Sequence, residues 1–305
     1  MRGHSDGATL AREYLGALKS QRRLSPATLR NYAHAMQMLL GLLEKQPLES
    51  LDAAQARRFV GTLHGEGLAP RTLALTLSAW RGWYHWLARQ HGFKANPLVG
   101  LRAPKAKRGL PKVLSVEAAQ QLLDGEQGGG ADLVRDRAMF ELLYSSGLRL
   151  AELVALDVDD GRLDLRHAEV TVTGKGSKTR TVPIGAKARE ALKAWIDQRQ
   201  GIAAPGEKAL FVGARGRRIS PAVVGARLAA WARRRGLAGR VHPHMLRHSF
   251  ASHVLQSSQD LRAVQEMLGH ASISTTQVYT HLDFQALAKV YDAAHPRAKK
   301  RKPSR

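Results

Sequence analysis

Apolar and polar positions along the chain follow two different rhythms. From residue 1 to 102 the apolar residues recur every three or four positions, the spacing of one helical face. Leu10, Tyr14 and Leu18 share a face of a first helix. After a turn around Leu24, Ser25-Pro26 supplies an N-cap and a first-turn proline for a second, which carries Leu29, Tyr32, Met36, Leu40 and Leu43. A third helix begins near Asp52 with Ala56, Phe59 and Leu63 inward, and a short link containing Gly65 and Gly67 follows. A fourth starts at the Pro70 break and aligns Leu73, Leu77, Trp80, Tyr84 and Leu87. Trp83 and Trp86 lie off that stripe, where they pack against a neighbouring helix or touch a partner subunit.

Asn96-Pro97 ends this pattern. Residues 103–112 place Pro104 and Pro111 around Lys105, Lys107 and Arg108, so the stretch reads as an extended, solvated linker. From 113 onward the pattern is mixed. Ser115 caps a helix with Glu117 in its first turn, where the dipole favours an acid. A glycine-rich loop spans 124–132, and a helix from about Leu133 to Ser146 stops at Gly147. Arg149 opens the next helix, with Leu150, Leu153 and Val154 apolar.

Between 161 and 184 the period falls to two. Leu163 and Leu165 alternate, then Val170 and Val172, then Thr179, Thr181 and Val182. Gly174-Lys175-Gly176-Ser177 is turn chemistry joining the last two strands, which sets Lys175 at a hairpin tip. Helices resume at 185–200 and after Ser220-Pro221, around a turn-rich excursion with Arg215, Arg217 and Arg218. The expected fold is therefore mainly α with a small antiparallel β-sheet in the second domain. The expected divisions are 1–102, 103–112, 113–296 and a basic tail, 297–305, too polar to pack.

The densest chemistry runs from His242 to Thr280: HPHMLRHSFASHVLQSSQDLRAVQEMLGHASISTTQVYT. Pro243 suits a first helical position. His244 and Arg247 then fall on one face, with Leu246, Phe250 and Val254 turned to a core. A second helix has Leu261, Val264 and Leu268 as its stripe and stops at Gly269, just before His270; Tyr279 follows on a short segment. Facing away from the core, this set offers a guanidinium fork, two imidazoles and a phenol. A phenol beside cationic donors is a credible nucleophile toward phosphorus. Taken alone, each residue reads as part of an ordinary helical bundle with histidines at its ends and a buried tyrosine. For Arg149, a salt bridge to Glu152 is the ordinary alternative; for Lys175, a surface turn.

Charge narrows the partner. Lys and Arg number 48 against 25 Asp and Glu, a formal net charge of +23, which points to a polyanion. Nucleic acid comes first and an anionic membrane surface second. No apolar run reaches the length of a bilayer span and no signal peptide opens the chain, so a cytoplasmic protein is expected. The chain has no cysteine, hence no disulfide framework or Cys-ligated zinc. Arg22, Arg23, Arg30, Arg57, Arg58, Arg71, Arg81 and Arg89 make the first region basic, and several are expected on phosphates. The acidic run Asp157, Asp159 and Asp160 sits at a turn and reads as structural, so neither metal nor other cofactor is expected.

The ordered set, HxxR, then LGH, then a tyrosine after a short spacer, resembles the C-terminal motif of the tyrosine recombinase (phage integrase) family. The resemblance covers nearly the whole chain. It implies an upstream arginine and a hairpin lysine, for which Arg149 in SSGLRLAELVAL and Lys175 in TVTGKGSKTRTVPI are the matches. It further implies an N-terminal helical (SAM-like) bundle and a catalytic domain clamped around double-stranded DNA, and a tetramer on two sites. The nucleophile would be Tyr279, forming a 3′-phosphotyrosyl bond. Arg149, Arg247 and His270 would hold the phosphate, Lys175 would protonate the leaving oxygen, and His244 would accept the tyrosine proton or orient it. The ending THLDFQALAKVYDAAHPRAKK resembles members that resolve chromosome dimers at a dif-like site with a XerD-like partner and a division-associated DNA translocase. Its stripe of Leu282, Phe284, Leu287, Val290 and Tyr291 either covers its own domain or, as the resemblance implies, passes to an adjacent protomer. Alternatives from other classes are a type IB topoisomerase-like relaxing enzyme, a non-catalytic DNA-binding protein and a basic RNA-binding protein; the last two leave the ordered set without a purpose.

Overall fold

Four helices form the first of two units, Met1–Gly109 and Leu110–Arg305. The structure is a computed structural model that describes residues 6–22, 24–44, 46–105, 113–124, 129–174, 178–269, 290–291 and 293–298. Helices α1 (Gly7–Gln21), α2 (Pro26–Leu43), α3 (Ala53–Gly65) and α4 (Pro70–Gln90) share one core. Ser25 accepts from the Thr28 N–H and Asp52 from the Gln55 N–H, caps worth about 1 kcal/mol each. The α4 stripe is buried as its spacing predicts, from Leu73 to Leu87. Trp83 joins it at 0 % exposure, so it packs within this unit; Trp86 is half-buried against Tyr14.

Two buried stripes are rotated from the predicted ones. In α2 the core positions are Ala35, Met36, Leu39 and Leu43, with Leu29, Tyr32 and Leu40 only half-buried. In α3 Val60 is inside and Phe59 at the margin. A helix face is set by what it packs on, and α2 packs on both α1 and α4. Trp80 donates to the Ala35 carbonyl at 2.5 Å and Tyr84 to that of Leu48 at 2.8 Å, so both buried rings are satisfied. Arg81 donates to the carbonyls of Leu98 and Leu101, tying the following segment to α4. Arg22, Arg30, Arg57, Arg58, Arg71 and Arg89 are exposed, while Arg23 lies outside the described residues. So does most of the expected linker, from residue 106 to 112.

The second unit is built around α6 (Ala131–Ser146), buried on nearly all sides by α5 (Val116–Leu123), α8 (Ala186–Arg199), α9 (Pro221–Arg234) and α10 (Pro243–Ser258). A helix enclosed all round must pair its polar groups internally. Asp136 takes Arg135 and Arg227, Ser146 donates to the Pro183 carbonyl, and Glu141 takes Arg297. Gly147 ends α6 at φ 57°, and a side chain there would strike the Phe250 ring. Next come α7 (Leu150–Val154) and a three-stranded antiparallel sheet of β1 (Leu163–Asp164), β2 (Glu169–Thr173) and β3 (Thr179–Pro183), in that order. Val170 pairs with Val182 and Val172 with Arg180. The inward face of β3 is thus Arg180 and Val182. The Asp157 carboxylate pairs with Arg218, consistent with a structural role for that acidic turn.

Helix α11 (Leu261–Leu268) packs on α10 and β3, capped by Asp260. Residues 282–289 lie outside the described residues. The described end of the segment sits on its own unit: Tyr291 and His295 are buried, with Ser145 and Tyr144 as neighbours. The expectation that the tail 297–305 is too polar to pack fails for Arg297, which is 4 % exposed, because Glu141 and Asp124 pair with its charge. Among the described residues no helix is long and apolar enough to cross a membrane.

Candidate active site

Arg247 lies on the first turns of α10, but its side chain is turned inward at 7 % exposure, not outward as its pairing with His244 predicts. Its Nη1 donates to the Gly147 carbonyl and its Nη2 to that of Leu268, both at 2.5 Å. Burial first, then the like charges of Arg149 and Arg180, bring its pKa down to about 10, so it stays cationic at neutral pH. His244, one turn earlier, is exposed beside His242, their rings edge to face at 6.4 Å.

Arg149 is the N-cap of α7. A cation is out of place at a helix N-terminus, and Glu152 supplies the compensation. One Glu152 oxygen accepts the Arg149 backbone N–H at 2.7 Å; the other accepts its Nη1 at 2.8 Å. The salt bridge offered as the ordinary alternative is therefore formed. It does not use up the guanidinium, whose side chain remains 34 % exposed. Its Nη2 reaches the Gly269 carbonyl at 3.2 Å.

A third guanidinium, which periodicity hides, completes the cluster. Arg180 projects inward from β3, forks onto both Glu152 oxygens at 2.8 and 2.9 Å, and donates through Nε to the Met267 carbonyl at 2.8 Å. The available signal was a charged residue in register with Val182 on a buried strand face. Burial alone would raise the Glu152 pKa, but bonds and charge from Arg180, then Arg149, outweigh it and hold the carboxyl down to about 2. Three cations face this one carboxylate, an excess of two positive charges at a partly open site.

The three guanidiniums meet the last carbonyls of α11 in succession: Arg180 on Met267, Arg247 on Leu268 and Arg149 on Gly269. Those carbonyls lack helical partners and carry the negative end of the dipole, so cations are favoured there. Gly269 takes φ 62°, and a Cβ on it would come within 3.0 Å of the Arg180 side chain. Gly174 also borders the cluster: a Cβ there would be in van der Waals contact, 3.5 Å from both Arg149 Nη1 and Glu152 Oε1. In the sequence these two glycines immediately precede His270 and Lys175. Lys175, His270 and Tyr279 themselves lie outside the described residues. Paired guanidiniums with unspent N–H groups form a site for a tetrahedral oxyanion such as a phosphodiester.

Comparison with known proteins agrees with this chemistry. Residues 11–91 match the phage integrase N-terminal SAM-like domain, and residues 112–286 the phage integrase family. Tyrosine recombinase XerC 1 of Ralstonia nicotianae is 52% identical, over 94% of this chain and 93% of its own. Tyrosine recombinase XerC of Azotobacter vinelandii is also 52% identical, over 95% of this chain and 96% of its own. Among solved structures, a XerH site-specific recombinase bound to palindromic difH substrate superposes with a TM-score of 0.69 at 23% identity, over 93% of this chain and 84% of that one. A lambda integrase dimer bound to a COC′ core site gives 0.66 at 18% identity, over 97% of this chain and 80% of that one. At those identities the structures speak for the fold, and the close relatives for the lineage. The chain belongs to the phage integrase family, the tyrosine recombinases, which are DNA strand-exchange enzymes.

Proposed function

We propose that this protein is a site-specific recombinase that cuts and rejoins double-stranded DNA through a 3′-phosphotyrosyl intermediate on Tyr279. It would resolve chromosome dimers in the cytoplasm at a dif-like site, in a heterotetramer with a XerD-like partner and under the control of a division-associated DNA translocase. The observation that carries this reading is the meeting of Arg149 and Arg247 on successive carbonyls of α11, with the glycines before Lys175 and His270 against the same cluster. The relatives named XerC and the difH-bound XerH neighbour support the finer reading of the site.

In the proposed reaction the Tyr279 oxygen attacks phosphorus, and the bond from phosphorus to the 5′ oxygen breaks. Arg149 and Arg247 neutralise the non-bridging oxygens, where charge develops, and His270 donates to the same oxygens. Lys175 gives a proton to the leaving 5′ oxygen; His244 accepts the tyrosine proton or orients the phenol. One phosphoester replaces another, so no nucleotide hydrolysis is needed. A nicked suicide duplex carrying a dif-like site tests the reading, because loss of a short 5′ strand traps the covalent complex. Wild type should accumulate that complex. Tyr279→Phe should bind equally well and form none; covalent attachment in the Phe variant would rule Tyr279 out.

A further inference from the structure

Of the three guanidiniums on α11, Arg180 differs from the other two in being bonded through all three of its nitrogens, where Arg149 and Arg247 each use two. It is 6 % exposed, and Nε, Nη1 and Nη2 are each bonded within the protein. Its partners come from two elements that carry the phosphate-facing groups: Glu152, which holds Arg149, and Met267, on the same helix end that Arg247 holds. We infer that Arg180 is a positioning residue: by joining Glu152 to the end of α11, it sets Arg149 and Arg247 in register for one phosphate. The inference rests on the recombinase reading above.

The physical reason is competition for Glu152. Its carboxylate is shared between a buried guanidinium and a half-exposed one. While Arg180 satisfies it, Arg149 keeps donors for a substrate. Without Arg180, the carboxylate has only Arg149 as a direct partner among the described residues, with Arg247 acting on it through space. The pair would close on itself, and the Met267 carbonyl would lose its donor. Lysine is a poor substitute, since one ammonium cannot fork onto a carboxylate and reach a carbonyl from a fixed plane.

Arg180→Lys and Arg180→Gln test this against wild type on the nicked duplex. The measurements are half-site affinity, melting temperature and the single-turnover rate of covalent complex formation from pH 5 to 9. Affinity should stay within about twofold, because the phosphate contacts that dominate binding lie along the whole backbone. The covalent rate should fall by roughly 10- to 100-fold, the cost of a small misplacement at a reacting centre. In Arg180→Gln, Glu152 loses an opposite charge and should rise from about 2 by about one to three pH units, so the rate should begin to fall at the acid end of the range, where wild type does not. A merely structural arginine would lower melting temperature, affinity and rate together and leave the profile's shape alone. Wild-type rates in both variants, or proportional losses of affinity and rate with an unshifted profile, would overturn the inference. Should Arg180→Gln not fold, the split between rate and affinity in Arg180→Lys decides. A wild-type protein that forms no covalent complex is a separate result: it removes the recombinase reading and this inference with it.

Discussion

Arg297 forks onto Glu141, 156 residues earlier in the chain, with Nε on one carboxylate oxygen at 2.9 Å and Nη2 on the other. Its Nη1 continues to Asp124 at 2.8 Å. Glu141 is wholly buried in the middle of α6, so the pair fastens the described end of the C-terminal segment to the central helix of the catalytic unit.

Removing one member of a buried pair leaves an uncompensated charge. Arg297→Ala should therefore destabilise the protein by about 3–5 kcal/mol, read from urea unfolding at pH 7. Adding Glu141→Gln to it should recover part of that loss, since the stranded charge is gone. Full additivity of the two substitutions would mean that the pair is not coupled.

Stability should rise with pH across two overlapping windows. Burial lowers the His295 pKa from the usual 6.5 to about 3, so the unfolded chain binds a proton there that the folded one refuses. Stability then falls as the pH drops below about 6.5, and His295→Gln should flatten this part of the curve. Glu152 lies at about 2 in place of 4.5, so its contribution is complete above about pH 4.5 and lost toward pH 2. Its full size is about 3 kcal/mol. The wild-type advantage over Glu152→Gln should be constant from pH 5 to 8 and shrink below that; an advantage that grows on acidification would contradict the assignment.

A general acid matters only while its leaving group needs a proton. Lys175→Ala should cleave normal DNA poorly, yet cleave DNA with sulfur at the 5′-bridging position nearly as fast as wild type. Equal defects on the two substrates would make Lys175 a phosphate binder instead.

With side chains supplying the positive charge, covalent complex formation should persist in excess EDTA. Duplex affinity should fall with salt at a log–log slope of about −0.9 per neutralised phosphate. Cleavage that stops in EDTA and returns with magnesium would overturn the metal-independent mechanism.

Much of this was legible along the chain because the signals are local. Proline and serine mark the starts of α2 and α9, glycine marks the ends of α6 and α11, and the period of two marks β2 and β3; each depends on neighbours a few residues away. Arg247 could likewise be named from its spacing to His244, and Arg149 from the family resemblance. Burial of charge could not. Arg180 looks like one polar residue among threonines, and Arg297 like part of a soluble tail. Arg247 reads as an outward-facing side chain. Each lies inside because a carboxylate or a row of carbonyls from a distant element meets it there: Glu152, Glu141 or the end of α11. An isolated buried charge is prohibitively costly, and a paired one is tolerable. The sequence holds both partners but does not say that they meet. That is decided only when α6, α10, α11 and β3 pack together.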